Sequence, residues 1–471
     1  MLLAASISLA VGTSGLIFGY PLSPLIVAGV ILGAAFAVVS LRNPVWALYF
    51  AIFVALFLAP ILGLLPTIPI MGEYPIVLGL LFACAAWLFN VAIRRQKIVW
   101  TGTNLVMLAF LTWSIVTLFW ARDLVAARRQ LMAYIVGFAL LLLVVNEIDS
   151  RQTLNGLMAT LALSGWFMVL AGIVTVLTAG YTAGSRLQVL EMNENGFGIA
   201  LLVTIPGILW QMMKPERHRK ALWALMAAVF LLLAIGLIAM SGSRGSLISL
   251  LVTLLAFMLW KPTRSWGVLS LVVVVLGVIL SPFLFSTTLE RFALVNGDTL
   301  LGGREVLWQA FGRFISDHPW SGAGVGNGPY EVMPYLGLLG STIAFERAPS
   351  HNPVLAIWAD AGLPGLLLYL GVLGSAIWSF ARQYVRFRRS GSPFLAPYFP
   401  LVAATFLGFM VSWIKGGGIE GDFTYFLMLA LLLIPASLDR EGQGRQRDSS
   451  SELETTSTMA WGQFTDEEVS R

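Results

Sequence analysis

Apolar runs of about 20 residues recur along the whole 471-residue chain, joined by connections mostly too short to hold a domain. Wound as a helix, a run of that length crosses the roughly 30 Å hydrocarbon layer of a bilayer. Inside lipid only helices and closed barrels satisfy their own backbone. Barrel strands alternate polar and apolar residues, and these runs do not. The chain therefore reads as all-α, a polytopic transmembrane helical bundle. About fourteen runs meet the length criterion, near 3–20, 23–40, 44–63, 74–93, 103–120, 129–146, 153–178, 195–213, 221–240, 245–260, 266–285, 353–381, 397–414 and 421–437, so 12–14 spans are expected. With 58% hydrophobic and 11% charged residues, a soluble globular class is excluded.

One segment departs from this economy of polar residues. Residues 286–352 form a polar excursion between late spans, closing in Ala348-Pro349-Ser350-His351-Asn352-Pro353. The organisation expected is a membrane unit over 1–285 with about eleven spans, a loop domain over 286–352, further spans over 353–437, and a tail over 438–471. The tail is rich in Ser, Glu, Thr, Gln and Asp and reads as disordered, having too little apolar surface to fold alone. The first apolar run carries no Lys or Arg and reads as a span, not as a cleaved signal. A lone cysteine, Cys84, rules out an intrachain disulfide.

Charge placement sets the expected orientation. Arg42, Arg94, Arg95, Lys97, Arg151, Lys214, Arg217, Arg219, Lys220, Lys261, Arg264, Arg382, Arg386, Arg388 and Arg389 fall in one set of alternate loops. The positive-inside rule makes that set cytoplasmic, with both termini on the same side and the 286–352 loop outside. These clusters sit between spans, which argues for the lipid bilayer as partner and against nucleic acid.

The opposite short loops hold Arg122, Arg128, Arg129, Arg186, Arg244 and Lys415. Topology gives these cations no reason to be there. Arg244 lies in Ser241-Gly242-Ser243-Arg244-Gly245-Ser246, a tight turn before an apolar helix. A helix amino terminus beside an arginine and the Ser243 and Ser246 hydroxyls makes an anion cradle, and guanidinium grips phosphate through paired donors. The plainer alternative is an arginine that caps a turn or reaches for lipid headgroups. Arg186 and Arg304 stand on the same expected face. Arg128 and Arg129, with Arg122, could line an access path for an anionic lipid or simply anchor headgroups.

His351 opens a span, and its ordinary pKa near 6.5 suits a general base; a hydrogen-bonded structural role is the competing reading. His318, in Asp317-His318-Pro319-Trp320, reads as structural. Residues 304–315 show the period of an amphipathic helix, with Val306, Leu307, Ala310, Phe311, Phe314 and Ile315 on one face. The run Gly322-Ala323-Gly324-Val325-Gly326-Asn327-Gly328 has no strand–helix context and is no dinucleotide motif. It reads as a flexible or close-packed turn.

Three blocks in order resemble the O-antigen ligase and O-antigen polymerase superfamily of bacterial membrane glycosyltransferases. They are the Arg244 turn; Gly303-Arg304 and Trp308 followed by Asp317-His318-Pro319-Trp320-Ser321-Gly322-Ala323-Gly324-Val325-Gly326; and His351-Asn352-Pro353 with Trp358-Ala359-Asp360-Ala361-Gly362-Leu363-Pro364-Gly365. The resemblance spans about 180–380 and implies a GT-C-like fold in the bacterial cytoplasmic (inner) membrane. It implies an undecaprenyl-diphosphate-linked glycan donor and a glycan acceptor, either a lipid-linked glycan or lipid A core. It further implies His351 as the residue that activates the acceptor, and Arg244 and Arg186 as the diphosphate grip. Arg304, Arg347, Asn352, Arg128 and Arg129 are placed as further substrate contacts.

Such chemistry asks for cations at the leaving phosphate and a base at the sugar hydroxyl, so no cofactor or metal is expected and direct displacement inverts the anomeric centre. A secondary transporter of a small anion is the alternative class, opposed by the lack of intramembrane acids suited to ion coupling.

Overall fold

The structure, a computed structural model, describes residues 24–58, 75–179, 186–189, 192–214, 220–280, 304–339, 347–348, 350–390, 394–415 and 423–438. The expected first span at 3–20, the segment 286–303 of the polar excursion and the tail from 439 onward lie outside the described residues. Among the described residues every regular element is helical.

In chain order these are α1 (Pro24–Arg42), α2 (Val45–Phe53, prolonged by a π turn over Val54–Leu58), α3 (Pro75–Arg94), α4 (Gly102–Val116), α5 (Leu124–Glu147), α6 (Arg151–Ala179), α7 (Glu194–Met213) and α8 (Lys220–Met240). They continue with α9 (Arg244–Phe257), α10 (Arg264–Leu280), α11 (Arg304–Asp317), α12 (Gly328–Glu331), α13 (Met333–Leu338), α14 (Pro353–Ser390) and α15 (Tyr398–Lys415), and α16 (Phe423–Leu438). Among the described residues eight helices, α3 to α8, α14 and α15, are long and apolar enough to cross a membrane. The shorter apolar helices fall on the remaining expected spans within the described residues. The chain is a multi-pass helical bundle.

Helix starts follow from capping chemistry. Asp123 accepts from the amides of Val125 and Ala126 at 2.8 and 3.1 Å. Asn193 accepts from Asn195 at 2.8 Å, Ser243 from Ser246 at 3.2 Å and Asn352 from Val354 at 2.9 Å. The expected span at 245–260 is a helix of only 14 residues, about 21 Å long.

In lipid, helices associate through close packing of small residues rather than hydrophobic drive, and the core shows this. The central helix α7, 83% buried over its membrane window, packs on α6, α8, α9 and α15. Gly198 lets α7 approach Ser246 of α9, and Gly408 lets α15 approach Ser249 and Thr253 of α9. The Ser249 and Ser412 hydroxyls join the same antiparallel pair at 2.6 Å. A stacked trio, Tyr369, Trp413 and Tyr425, ties α14, α15 and α16 together.

Helix α14 is broken, which its apolar sequence did not announce. Gly362 sits at φ +65° and ψ −174°, a conformation open to glycine, and a β-carbon there would collide with the Trp320 carbonyl. Pro364 follows and cannot donate to the turn before it. Groups freed by the break find partners: Trp113 Nε1 donates to the Ala361 carbonyl at 2.7 Å, and the Leu363 amide donates to the Pro319 carbonyl at 2.9 Å. Residues 353–361 therefore pack with α11 and α13 in a second small core of Leu307, Phe311, Phe314, Leu336 and Ala359.

Candidate active site

Helix α11 is amphipathic as its periodicity predicted, burying Leu307, Ala310, Phe311, Phe314 and Ile315. Arg304 and Trp308, one turn apart, lie along the edge of that buried face, with Trp308 partly buried against the same core. Trp308 Nε1 donates to the Ser350 carbonyl at 2.9 Å, which brings the next residue, His351, to Arg304. The Arg304 guanidinium in turn donates to the Lys415 carbonyl at the end of α15. Because α15 runs antiparallel to α9, this draws in the start of α9 and Arg244. Four half-buried cationic or titratable side chains thus gather at one end of the bundle: Arg244, Arg304, His351 and Lys415.

Their electrostatics reflect the crowding. Burial first, and then the Arg304 charge, holds the His351 imidazole below its ordinary value. The ring is therefore neutral at pH 7 and able to accept a proton. Burial and the neighbouring Arg244 charge lower Arg304, which nonetheless stays protonated, as arginine does in proteins. His351 sits at φ +48°, a left-handed conformation that costs a non-glycine residue on the order of 1 kcal/mol. Ser350 and Asn352 lock it in place: Ser350 Oγ donates to the Asn352 carbonyl at 3.1 Å and accepts from its amide at 3.3 Å.

The Arg186 side of the site is built differently. Arg186 forms an ion pair with Glu194 at 3.1 Å, and Gln188 also donates to Glu194 at 3.2 Å. The adjacent Asn195 holds Ser243 through its side chain and accepts from Ser246 Oγ at its carbonyl. Ser243 and Ser246 are buried and bonded to each other at 2.9 Å. Their hydroxyls are thus committed to shaping the first turn of α9. The open side of that turn is at Gly245, where a β-carbon would meet nothing within 4 Å.

One residue of the third motif block, given no role of its own by the sequence, holds the glycine run. Asp360 is buried and accepts from the amides of Gly326 and Gly328 at 2.9 and 2.7 Å. Gly322, Gly324 and Gly326 all adopt positive φ, so the glycine run is a close-packed clasp, the second of its two expected forms. Asn327 extends it, donating to the Asp123 carbonyl at 3.1 Å and accepting from the Asp123 amide at 2.7 Å. An acid inside an apolar helix was the available signal for Asp360.

Other expected site residues take other places. Asn352 caps α14. Arg347, Arg128 and Arg129 are exposed, the last two on the first turns of α5. Arg122 pairs with Glu331 at 3.2 Å. His318 stacks on Phe314 at 4.8 Å, in keeping with a structural residue.

A multi-pass helical membrane protein with a half-buried cation cluster and a neutral imidazole at one end is the class that fold and site define. Residues 228–370 match the family model described as O-antigen ligase. That match supports membership of the O-antigen ligase and O-antigen polymerase superfamily and a membrane ligase or polymerase type of function. No curated protein matches the chain.

Proposed function

We propose that this protein is a glycosyltransferase that moves a glycan from an undecaprenyl-diphosphate carrier to an acceptor sugar hydroxyl, working at the extracytoplasmic face of the bacterial inner membrane with both termini in the cytoplasm. The observation that carries the reading is the convergence of Arg244, Arg304 and His351, residues far apart in sequence, at one end of the bundle.

The chemistry follows from the groups. The donor already contains a diphosphate leaving group, so the protein must steady developing phosphate charge and take a proton from the acceptor. Arg244 and Arg304 do the first, acting in a partly desolvated site where fixed charges count for more than in water. His351 Nδ1 or Nε2 does the second. Attack by the hydroxyl on the face opposite the diphosphate inverts the anomeric carbon. Arg186, neutralised by Glu194, serves this site by setting the Asn195 and α9 junction; it adds less net charge than its position suggested. The guanidinium groups fill the role of a metal, so the reaction runs without one. The acceptor is lipid-linked glycan or lipid A core sugar, and the resulting product belongs to surface polysaccharide.

The test is transfer in proteoliposomes with lipid-linked donor and acceptor. The wild type is expected to form product and His351→Ala and Arg244→Ala to form none; near-normal product from either variant removes that residue from the mechanism. Flux of a small anion into the same vesicles without any lipid-linked donor would instead support the transporter class.

A further inference from the structure

Lys415 is the one member of the cation group to which no role has been given. Three separate contacts fix the end of α15 that carries it. Arg304 donates to its backbone carbonyl. Ser412, three residues earlier, bonds Ser249 of α9 at 2.6 Å. Trp413 is buried in the stack with Tyr369 and Tyr425. The half-buried ammonium consequently lies within electrostatic reach of both Arg304 and Arg244, beside the first turn of a helix whose dipole is itself positive there.

We propose that Lys415 is a further substrate-contacting residue, whose ammonium neutralises the charge that the diphosphate gains as it leaves. This rests on the reading of the site as a polyprenyl-diphosphate glycosyltransferase. In the donor each of the two phosphates carries one negative charge, and two guanidinium groups match them. During transfer the acceptor oxygen bonds to the anomeric carbon and its proton passes to His351. The bond from that carbon to the diphosphate oxygen breaks, and its electron pair stays on the terminal phosphate. The leaving group thereby gains a third charge. An ammonium on a flexible stem is a compact point charge able to follow that oxygen. An interaction that grows as the bond breaks accelerates the chemical step rather than tightening donor binding.

Since Arg304 is anchored by the Lys415 backbone, replacing the side chain leaves that anchor in place. Binding of undecaprenyl diphosphate and of undecaprenyl monophosphate to detergent-purified protein separates the possibilities. Lys415→Met is expected to lose about tenfold in diphosphate affinity, the scale of one charge-assisted contact, with a smaller loss for the monophosphate and recovery in Lys415→Arg. Lys415→Gln, closer in polarity, gives the same pattern should the Met variant insert poorly. Equal loss for both ligands, or no recovery in Lys415→Arg, makes the residue structural and overturns the proposal. Wild-type diphosphate affinity in Lys415→Met, beside a loss in Arg244→Ala, sinks the Lys415 role alone. Wild-type affinity in both variants removes the diphosphate reading of the whole site.

Discussion

At one end of the bundle Arg42, Arg94, Arg95, Arg151, Arg388 and Arg389 are exposed and make the contacts expected of interfacial cations. Arg94 donates to the Arg42 carbonyl at 2.8 Å, and Arg151 lies over the Phe394 ring at 4.9 Å. At the other end Arg244, Arg304, His351 and Lys415 are half-buried and close enough to shift one another. Exposed cations are screened by water and repel weakly. Half-buried like charges repel strongly and stay together only because the surrounding scaffold holds them. The difference teaches that only the second group needs a scaffold to hold it together, and on the proposed reading that group is arranged for an anion that arrives, while the first serves topology.

Substitutions at the two ends should therefore diverge most. Arg244→Ala and Arg304→Ala are each expected to slow transfer by about 10³, the scale of losing a preorganised charge at a transition state. Arg388→Ala at the opposite end should stay within about twofold, as exposed charges contribute little. A comparable loss at both ends would erase the distinction.

The next largest effect concerns the scaffold. Gly362→Ala places a β-carbon against the Trp320 carbonyl at positive φ and is expected to cost about 3 kcal/mol or more. Gly374→Ala, with nothing within 4 Å of the added carbon, should stay within about 1 kcal/mol of wild type or gain stability. Thermal melting of the two variants in detergent checks this.

How much of this was legible in the sequence depends on the kind of signal. The helical bundle was legible because a 20-residue apolar run has one stable form in lipid. Arg244, Arg304 and His351 stood out because each broke a pattern, either the charge asymmetry of the loops or the apolar entry to a span. Lys415 broke the same charge pattern and was noted for it, but nothing in the sequence tied it to Arg304; that tie is a backbone carbonyl contact between residues 111 positions apart. The α14 break and the Asp360 clasp were hidden for a related reason. A glycine in an apolar helix is common, and its positive φ is imposed by the Trp320 segment packed against it. Ser243 and Ser246 read as open donors because capping by Ser243 and the bonds to Asn195 depend on α7, which is remote in sequence.

A smaller effect is the pH profile. His351 is held below its ordinary value by burial and by Arg304, so its base form survives as pH falls to 6.5 and the rate is lost only below that. In Arg304→Gln the imidazole regains a higher pKa, and the acid limb of the residual activity should move to higher pH. A limb that stays put would separate the two residues. Smallest of all, a chelator should leave the transfer rate unchanged, since on the proposed reading guanidinium supplies the positive charge.

The most direct test of the central claim is to measure donor binding and transfer side by side in His351→Ala. Loss of a general base costs about 10²–10⁴ in rate without removing the diphosphate grip. The account predicts lipid-linked donor affinity within about threefold of wild type and transfer reduced at least a hundredfold. Transfer near the wild-type rate, or donor affinity that falls as far as in Arg244→Ala, contradicts it.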